Sequence, residues 1–127
     1  MRKITQASVF LAGFLASFSV FSDTATICGA TATAGKGIAP ASGTANTHFM
    51  LNPIAPRCSA NVHLAGTDGT SGAWYAVGSA SSKGANSFKG HTNGGAVARH
   101  ADCATKGACL ATDAETARDS ANSAAAS

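Results

Sequence analysis

The chain has 127 residues and a nominal hydrophobic content of 45%, but alanine dominates that figure. If an export signal ends at Ser22, 105 residues remain, of which 61 are Ala, Gly, Ser or Thr and 14 are large and apolar, and the net charge falls from +3 to about +1. This length and composition exclude a multidomain enzyme and a large apolar core and predict one small domain. Because the chain has no basic run interleaved with aromatic residues, a nucleic-acid partner is not expected.

The N-terminal segment predicts secretion. A basic start precedes an apolar run of 13 residues at positions 9–21, and Val20 and Ser22 occupy the −3 and −1 positions of a cut before Asp23. This layout is typical of a cleaved secretory signal, whereas a membrane-spanning helix needs about 20 apolar residues. We expect removal of residues 1–22, no later transmembrane segment, and Sec-type export from a bacterium into the periplasm, onto the cell surface or into the medium.

The mature chain begins with two Thr-Ala-Thr triplets. Thr24, Thr26, Thr31 and Thr33 recur at a period of two within each triplet, which favours a strand with its threonines on one face. A rank of threonines is the kind of surface that binds ice, so these four residues are candidate binding residues.

Strand patterns follow in the middle of the chain. Prolines interrupt the apolar stretch 48–64 and exclude a continuous helix there, while Val62 and Leu64 alternate with polar neighbours as in a half-buried strand. Residues 66–72 form a glycine-rich turn pattern, and the segments on either side of it predict a hairpin. Further strands are expected around Phe88 and Val97.

Two adjacent aromatic residues follow that turn. Trp74 and Tyr75 would face opposite sides of a strand. We therefore expect one ring in the core and the other at the surface, where it is a candidate anchor for a protein partner or a sugar.

Four cysteines, Cys28, Cys58, Cys103 and Cys109, all lie after the expected cleavage point. An even count in an exported chain predicts two disulfides. Three pairings are possible, and the short, glycine-containing segment between Cys103 and Cys109 favours Cys103–Cys109 together with Cys28–Cys58.

A structural metal is the alternative for the cysteines, since His100 and Asp102 lie beside Cys103. The cysteine spacings are wider than those of common zinc sites, and oxidised sulfur cannot bind a metal as thiolate. We therefore expect neither a metal nor another cofactor.

The C-terminal segment 111–127 contains no large apolar residue. Alanine favours helix, but a helix without an apolar face has nothing evident to dock with. The sequence therefore predicts a frayed helix or a flexible Ala-rich tail outside a β-rich domain of residues 23–110.

Residues suited to catalysis are sparse. The one glutamate, Glu115, lies in the tail, and the chain carries no nucleophile elbow, phosphate loop or dinucleotide fingerprint. Each of His48, His63, His91 and His100 could serve as a general base, but a histidine is more often a surface or hydrogen-bonded residue. We expect no catalytic residues and no enzymatic activity.

Together these patterns predict a mainly β, small, disulfide-stapled domain, sandwich-like or hairpin-like. The expected function is that of an exported, non-enzymatic surface, matrix or adhesion-type structural protein, which self-associates or binds cell-surface components. The alternatives are a small secreted binding protein for carbohydrate or ice and, ranked lower, a small secreted enzyme or inhibitor.

Overall fold

The computed structural model describes residues 23–29 and 34–127, so the expected signal segment 1–22 lies outside the described residues. The elements of the described part are β1 (Thr24–Cys28), β2 (Gly35–Lys36), β3 (Arg57–Cys58), β4 (Val62–Asp68), β5 (Tyr75–Ser81), β6 (Asn86–His91), β7 (Gly95–Asp102) and α1 (Ala111–Ala125). The fold is mainly β, as the sequence predicts.

Five strands form one antiparallel sheet in the order β1-β4-β5-β6-β7. From β4 onward each strand pairs with the next along the chain, so this part is a run of hairpins. The strands expected around Phe88 and Val97 are β6 and β7. Strands β2 and β3 form a separate two-stranded ribbon.

The predicted hairpin around the glycine-rich segment is confirmed as β4–β5, but the turn lies later than expected. Strand β4 continues through Gly66 to Asp68, and the reversal is closed by the Gly69 amide, which donates to the Trp74 carbonyl at 2.8 Å. Ser71 and Gly72 have positive φ angles of 56° and 66°. The chain reverses at these two residues, which have positive φ angles. Gly66 instead stays within β4, where its lack of a side chain leaves room for the Tyr75 ring.

The C-terminal segment, for which the sequence predicts a frayed helix or a flexible tail, is the helix α1 and packs on the sheet. Ala114, Ala117 and Ala121 recur along one side of α1 and are at most 1% exposed. The helix comes closest to the sheet at Gly78 of β5, where an added Cβ would overlap the Ala114 carbonyl and the Arg118 amide. The helix therefore docks through methyl groups and backbone, a contact that needs no large side chain.

Strand alternation divides the sheet into two faces. Thr67, Ala65 and His63 of β4 lie on the helix side and are buried, and they pair with Ala76, Gly78 and Ala80 of β5. Val62 and Leu64 lie on the opposite face and are half-buried. The larger apolar side chains of β4 thus lie on the face away from α1.

Both predicted disulfides are present: Cys28–Cys58 and Cys103–Cys109. The first joins β1 to β3 and packs against Ile27 and Leu64. The second closes the segment between β7 and α1 and packs against Ala65, Ala80 and Ala114. Each small cluster therefore contains one disulfide.

Residues 37–56, which we call the arm, run between the two strands of the ribbon. The Gly37 amide donates to the Pro56 carbonyl at 2.9 Å, and farther out the Gly43 amide donates to the Met50 carbonyl at 3.0 Å. The arm thus folds as two antiparallel chain segments. Its far end reaches the main sheet, where the Phe49 ring lies 6.3 Å from the Tyr75 ring between centroids.

Candidate interaction surfaces

The sheet face opposite α1 carries exposed apolar side chains. Val97 of β7 is 78% exposed and Phe88 of β6 is 44% exposed. Val77 of β5 lies on the same face, and its partner across the sheet is Gly90, which lies beneath Val97. We call Val77, Phe88 and Val97 the open face. A sheet normally buries an apolar face against another layer, but Phe88 and Val97 are exposed and Val77 is only half-buried among the described residues.

Two shallow depressions shape this side of the sheet. One of about 340 Å³ is lined mainly by small and apolar groups around Phe88, Val62 and Ser79. The other, of about 210 Å³, lies between Tyr75, Val77 and Val97. A shallow apolar surface with small residues between large ones suits contact with a second surface better than enclosure of a small ligand.

The β7 edge of the sheet borders the open face, and no described strand pairs with its outer side. The β6–β7 register shifts in two places, and Arg99 on the edge forms an ion pair with Asp102. Bulges and charges of this kind discourage strand addition along an edge. The open face, rather than the edge, is therefore the candidate interaction surface.

Of the candidate ice-binding threonines that the structure describes, Thr24 is exposed and Thr26 is half-buried. Thr24 and Thr26 share one face of β1, as the alternation predicts, but that face is the helix side of the sheet. Thr26 Oγ1 donates to Glu115 of α1 at 3.3 Å, and Thr24 Oγ1 lies 3.4 Å from Thr67 Oγ1. Thr31 and Thr33 lie outside the described residues.

The adjacent aromatic residues have internal contacts. Tyr75 is 5% exposed, and its ring lies over Gly66. Trp74 is half-buried against Gly69, and its indole Nε1 donates to Asn122 of α1 at 2.9 Å. Tyr75 is therefore the core ring, and Trp74 is a half-buried ring that is hydrogen-bonded to the helix.

The Tyr75 phenol titrates at an unusual pH. Burial, with the nearby negative charges of Asp68 and Asp23, raises the pKa of Tyr75 from 10.0 to about 12. Burial disfavours the phenolate because the apolar surroundings solvate it poorly, and the carboxylates repel it. The Tyr75 hydroxyl has no hydrogen-bond partner among the described residues. It is a packed core group, not a poised acid.

A histidine–aspartate pair fastens the far end of the arm. His48 Nδ1 lies 3.2 Å from Asp68 Oδ2, and the Phe49 amide donates to Asp68 Oδ1 at 2.9 Å. Asp68 is 1% exposed. Both carboxylate oxygens are engaged in holding the arm, which suits a structural role. The sequence placed Asp68 in a turn and gave no sign of this pairing.

The other histidines are dispersed. His63 lies beneath α1, and its Nδ1 and that of His91 are buried without a hydrogen-bond partner among the described residues. His100 is half-buried at a bulge of β7.

Near the second disulfide, Asp113 accepts hydrogen bonds from the Leu110 amide at 2.8 Å and the Ala104 amide at 3.3 Å, so this carboxylate caps the helix.

A second candidate surface lies on the ribbon. Lys36 of β2 is directly opposite Arg57 of β3, and both side chains are exposed. A depression of about 210 Å³ between them is lined by Ala55 and Pro56. The pairing of these two cations is not apparent from the sequence, although the stretch between Asp23 and Asp68 contains no Asp or Glu.

Comparisons with protein-family models, curated proteins and solved structures give no match. Among the helices of the described residues, none has the length and apolar character that a membrane crossing requires.

Proposed function

We propose that the protein is an exported, non-enzymatic structural component of a bacterial surface or matrix, and that it self-associates through the open face. The observation that carries this proposal is the exposure of Val97 and Phe88 at the β6–β7 end of the sheet face, beyond the part that the arm and the first disulfide cluster cover in the described structure. Covering such a face with a second copy would remove apolar surface from water.

The distribution of apolar side chains supports an assembling protein. Seven large ones are exposed, namely Ile38, Phe49, Leu51, Ile54, Phe88, Val97 and Leu110. They make up half of those in the mature chain. The helix–sheet contact instead uses alanine and glycine, which leaves larger groups available for contacts outside the molecule.

The chemistry of the described part supports a non-enzymatic role. The His48–Asp68 pair is the arrangement closest to a catalytic one, but Asp68 also accepts from the Phe49 amide. That geometry fastens the arm. Two disulfides fit a protein that works outside the cytoplasm, because oxidising compartments preserve them.

Sedimentation velocity of the mature, oxidised protein at several concentrations tests the proposal. The wild type should form dimers or larger species, and Val97→Glu should weaken association by at least about tenfold, since a charge would be buried in an apolar contact. Thr116→Glu, on the exposed side of α1, is the matched control and should associate as the wild type does. A wild type that stays monomeric at all concentrations, or a Val97→Glu variant that assembles normally, would refute self-association through the open face.

A further inference from the structure

The ribbon contains an arrangement that is unfavourable for folding. Side chains directly opposite each other in an antiparallel pair lie close together on one face, so like charges there repel. Lys36 and Arg57 occupy such a position, and among the described residues neither forms an ion pair. Two facing cations that gain no counter-ion within the fold indicate that they contact another molecule.

The two faces of the ribbon have different surroundings. Gly37 is buried, and a Cβ there would lie 2.8 Å from Cys58 Sγ and 2.9 Å from the Ile27 carbonyl oxygen, so this face packs on the disulfide. Lys36 and Ile38, on either side of Gly37, alternate to the outward face and are exposed. The same outward face therefore presents two cations and an apolar side chain.

The arm extends this surface with uncharged chain. Residues 37–56 include no Asp, Glu, Lys or Arg, yet Ile38, Leu51 and Ile54 are 65%, 59% and 47% exposed. Gly37 and Pro56 are hydrogen-bonded neighbours, so the start and the end of the arm emerge beside each other next to the cations. The exposed Ile38 and Ile54 thus lie within three residues of a ribbon cation, and the exposed Leu51 lies farther along the arm. No acidic residue lies between Asp23 and Asp68 in the sequence.

We propose that the ribbon and arm dock on an anionic phospholipid membrane. Lys36 and Arg57 would contact headgroup phosphates across the depression between them, while Ile38, Leu51 and Ile54 enter the boundary between headgroups and acyl chains. Weak apolar insertion and a basic patch each bind a membrane marginally, and together they give stable attachment. A second copy fits this surface poorly, because symmetric pairing would bring four cations together.

Vesicle co-sedimentation of the mature, oxidised protein tests the role of the cations. It should bind vesicles in which about a third of the lipid is phosphatidylglycerol and bind pure phosphatidylcholine much more weakly. Lys36→Gln/Arg57→Gln should weaken binding to the anionic vesicles about 20- to 30-fold, from about fivefold per basic residue near such a surface.

The control for net charge is Lys83→Gln/Lys106→Gln, which removes two exposed lysines from turns elsewhere. It should bind within about twofold of the wild type, because a charge far from the lipid is screened by salt. Equal losses in the two double variants would show nonspecific attraction and overturn the proposal. So would equal binding to both vesicle types.

Fluorescence tests the insertion of the arm. Leu51→Trp should give emission that shifts to the blue on addition of anionic vesicles and is quenched by lipid brominated along its acyl chains, after subtraction of the wild-type signal from Trp74. An unshifted, unquenched signal from vesicle-bound protein would overturn insertion of the arm.

Other partners give distinguishable results. Release from vesicles by a few millimolar inorganic phosphate at constant ionic strength would assign the depression to free phosphate and overturn the lipid assignment. If the Lys36/Arg57 variant loses self-association in sedimentation while vesicle binding is unchanged, the ribbon is an interface between copies and the proposal fails. High-affinity binding to an acidic protein, without vesicle binding, would likewise contradict it.

Discussion

At Gly78 the absence of one carbon atom sets the distance between helix and sheet. Its hydrogen faces the backbone of α1, and a Cβ would overlap the Ala114 carbonyl and the Arg118 amide. Backbone atoms cannot rotate away as a side chain can. A larger residue at position 78 must therefore displace the helix and disturb the contacts of the neighbouring helix alanines with the sheet.

Gly78→Ala should therefore lower the free energy of unfolding by about 1–3 kcal/mol, the usual cost of overfilling a packed site. Gly90→Ala is the matched control, since Gly90 lies in the adjacent strand and its Cβ would meet the exposed Val97 side chain at 3.2 Å. That side chain can move, so the cost should stay below about 1 kcal/mol. Urea denaturation measures both, and equal effects would contradict the close approach at Gly78.

The raised pKa of Tyr75 predicts how stability depends on pH. Its titration can be followed on one chromophore, because Tyr75 is the single tyrosine of the chain. The pKa of Tyr75 is raised to about 12 in the folded state and is ordinary when the chain unfolds. Between about pH 10 and pH 12 the unfolded chain releases the phenolic proton first. Stability should fall with rising pH across this window and should not depend on Tyr75 below pH 10.

Phenolate absorbance should show a midpoint near pH 12 for the folded protein and near pH 10 in concentrated denaturant. Tyr75→Phe separates this effect from lysine titration, since its stability should decline less between these pH values. A folded-state midpoint at the ordinary value would show that the ring is hydrated and that the packing over Gly66 is wrong.

At the scale of elements, α1 is the feature that the sequence pattern did not reveal. Hydrophobic periodicity is recognised from large apolar side chains, whereas Ala114, Ala117 and Ala121 carry only single methyl groups. Their spacing gives the helix a buried side only because β5 offers Gly78 and Ala80 opposite. Neither half of the contact is recognisable alone, so a docked helix could not be predicted from segment 111–127 by itself.

Two alanines of the same helix test the docking. Ala121 is fully buried, whereas Ala124 is exposed. Ala121→Glu should cost on the order of 3 kcal/mol or more, because it places an unpaired charge and extra volume against the sheet. Ala124→Glu should change the unfolding free energy by less than about 0.5 kcal/mol. Similar costs in thermal and urea unfolding would mean that the helix is not held on the sheet.

The strands were easier to predict than the arm. Period-two threonines indicated β1, and the glycine-rich segment before Trp74 indicated the β4–β5 hairpin. The arm carries no such local signal, since Asp68 binds His48 and Phe49 from a distant stretch interrupted by prolines. Long-range polar contacts of this kind depend on the folded path of the chain. The basic pair Lys36 and Arg57 required the ribbon register, which two-residue strands do not reveal in sequence.

For the whole molecule, the two disulfides contribute unequally to stability. Cys28–Cys58 links residues 30 apart and Cys103–Cys109 residues 6 apart. In the loop-entropy description the first is worth about 3.5 kcal/mol and the second about 2 kcal/mol. The longer loop also includes the arm, and Phe49, at the far end of the arm from the ribbon, contacts Tyr75 in the main sheet.

Replacing Cys28 and Cys58 together by Ser should therefore unfold the protein or destabilise it by several kcal/mol, and the Cys103/Cys109 double replacement should cost less. Denaturation of the two variants under identical conditions checks the order. Equal stabilities, or the reverse order, would show that native-state packing around the sulfur atoms outweighs restriction of the unfolded chain.

The methyl-and-backbone contact between α1 and β5 has a consequence for how this protein can evolve. Selection for the distance between helix and sheet keeps position 78 as Gly and admits little beyond Gly, Ala and Ser at positions 114, 117 and 121, while exposed positions can change freely. Exchange among small residues at these helix positions keeps the distance between helix and sheet but erases sequence similarity. Descendants of such a chain would inherit its amino-acid composition and its helix-to-sheet spacing more faithfully than its sequence.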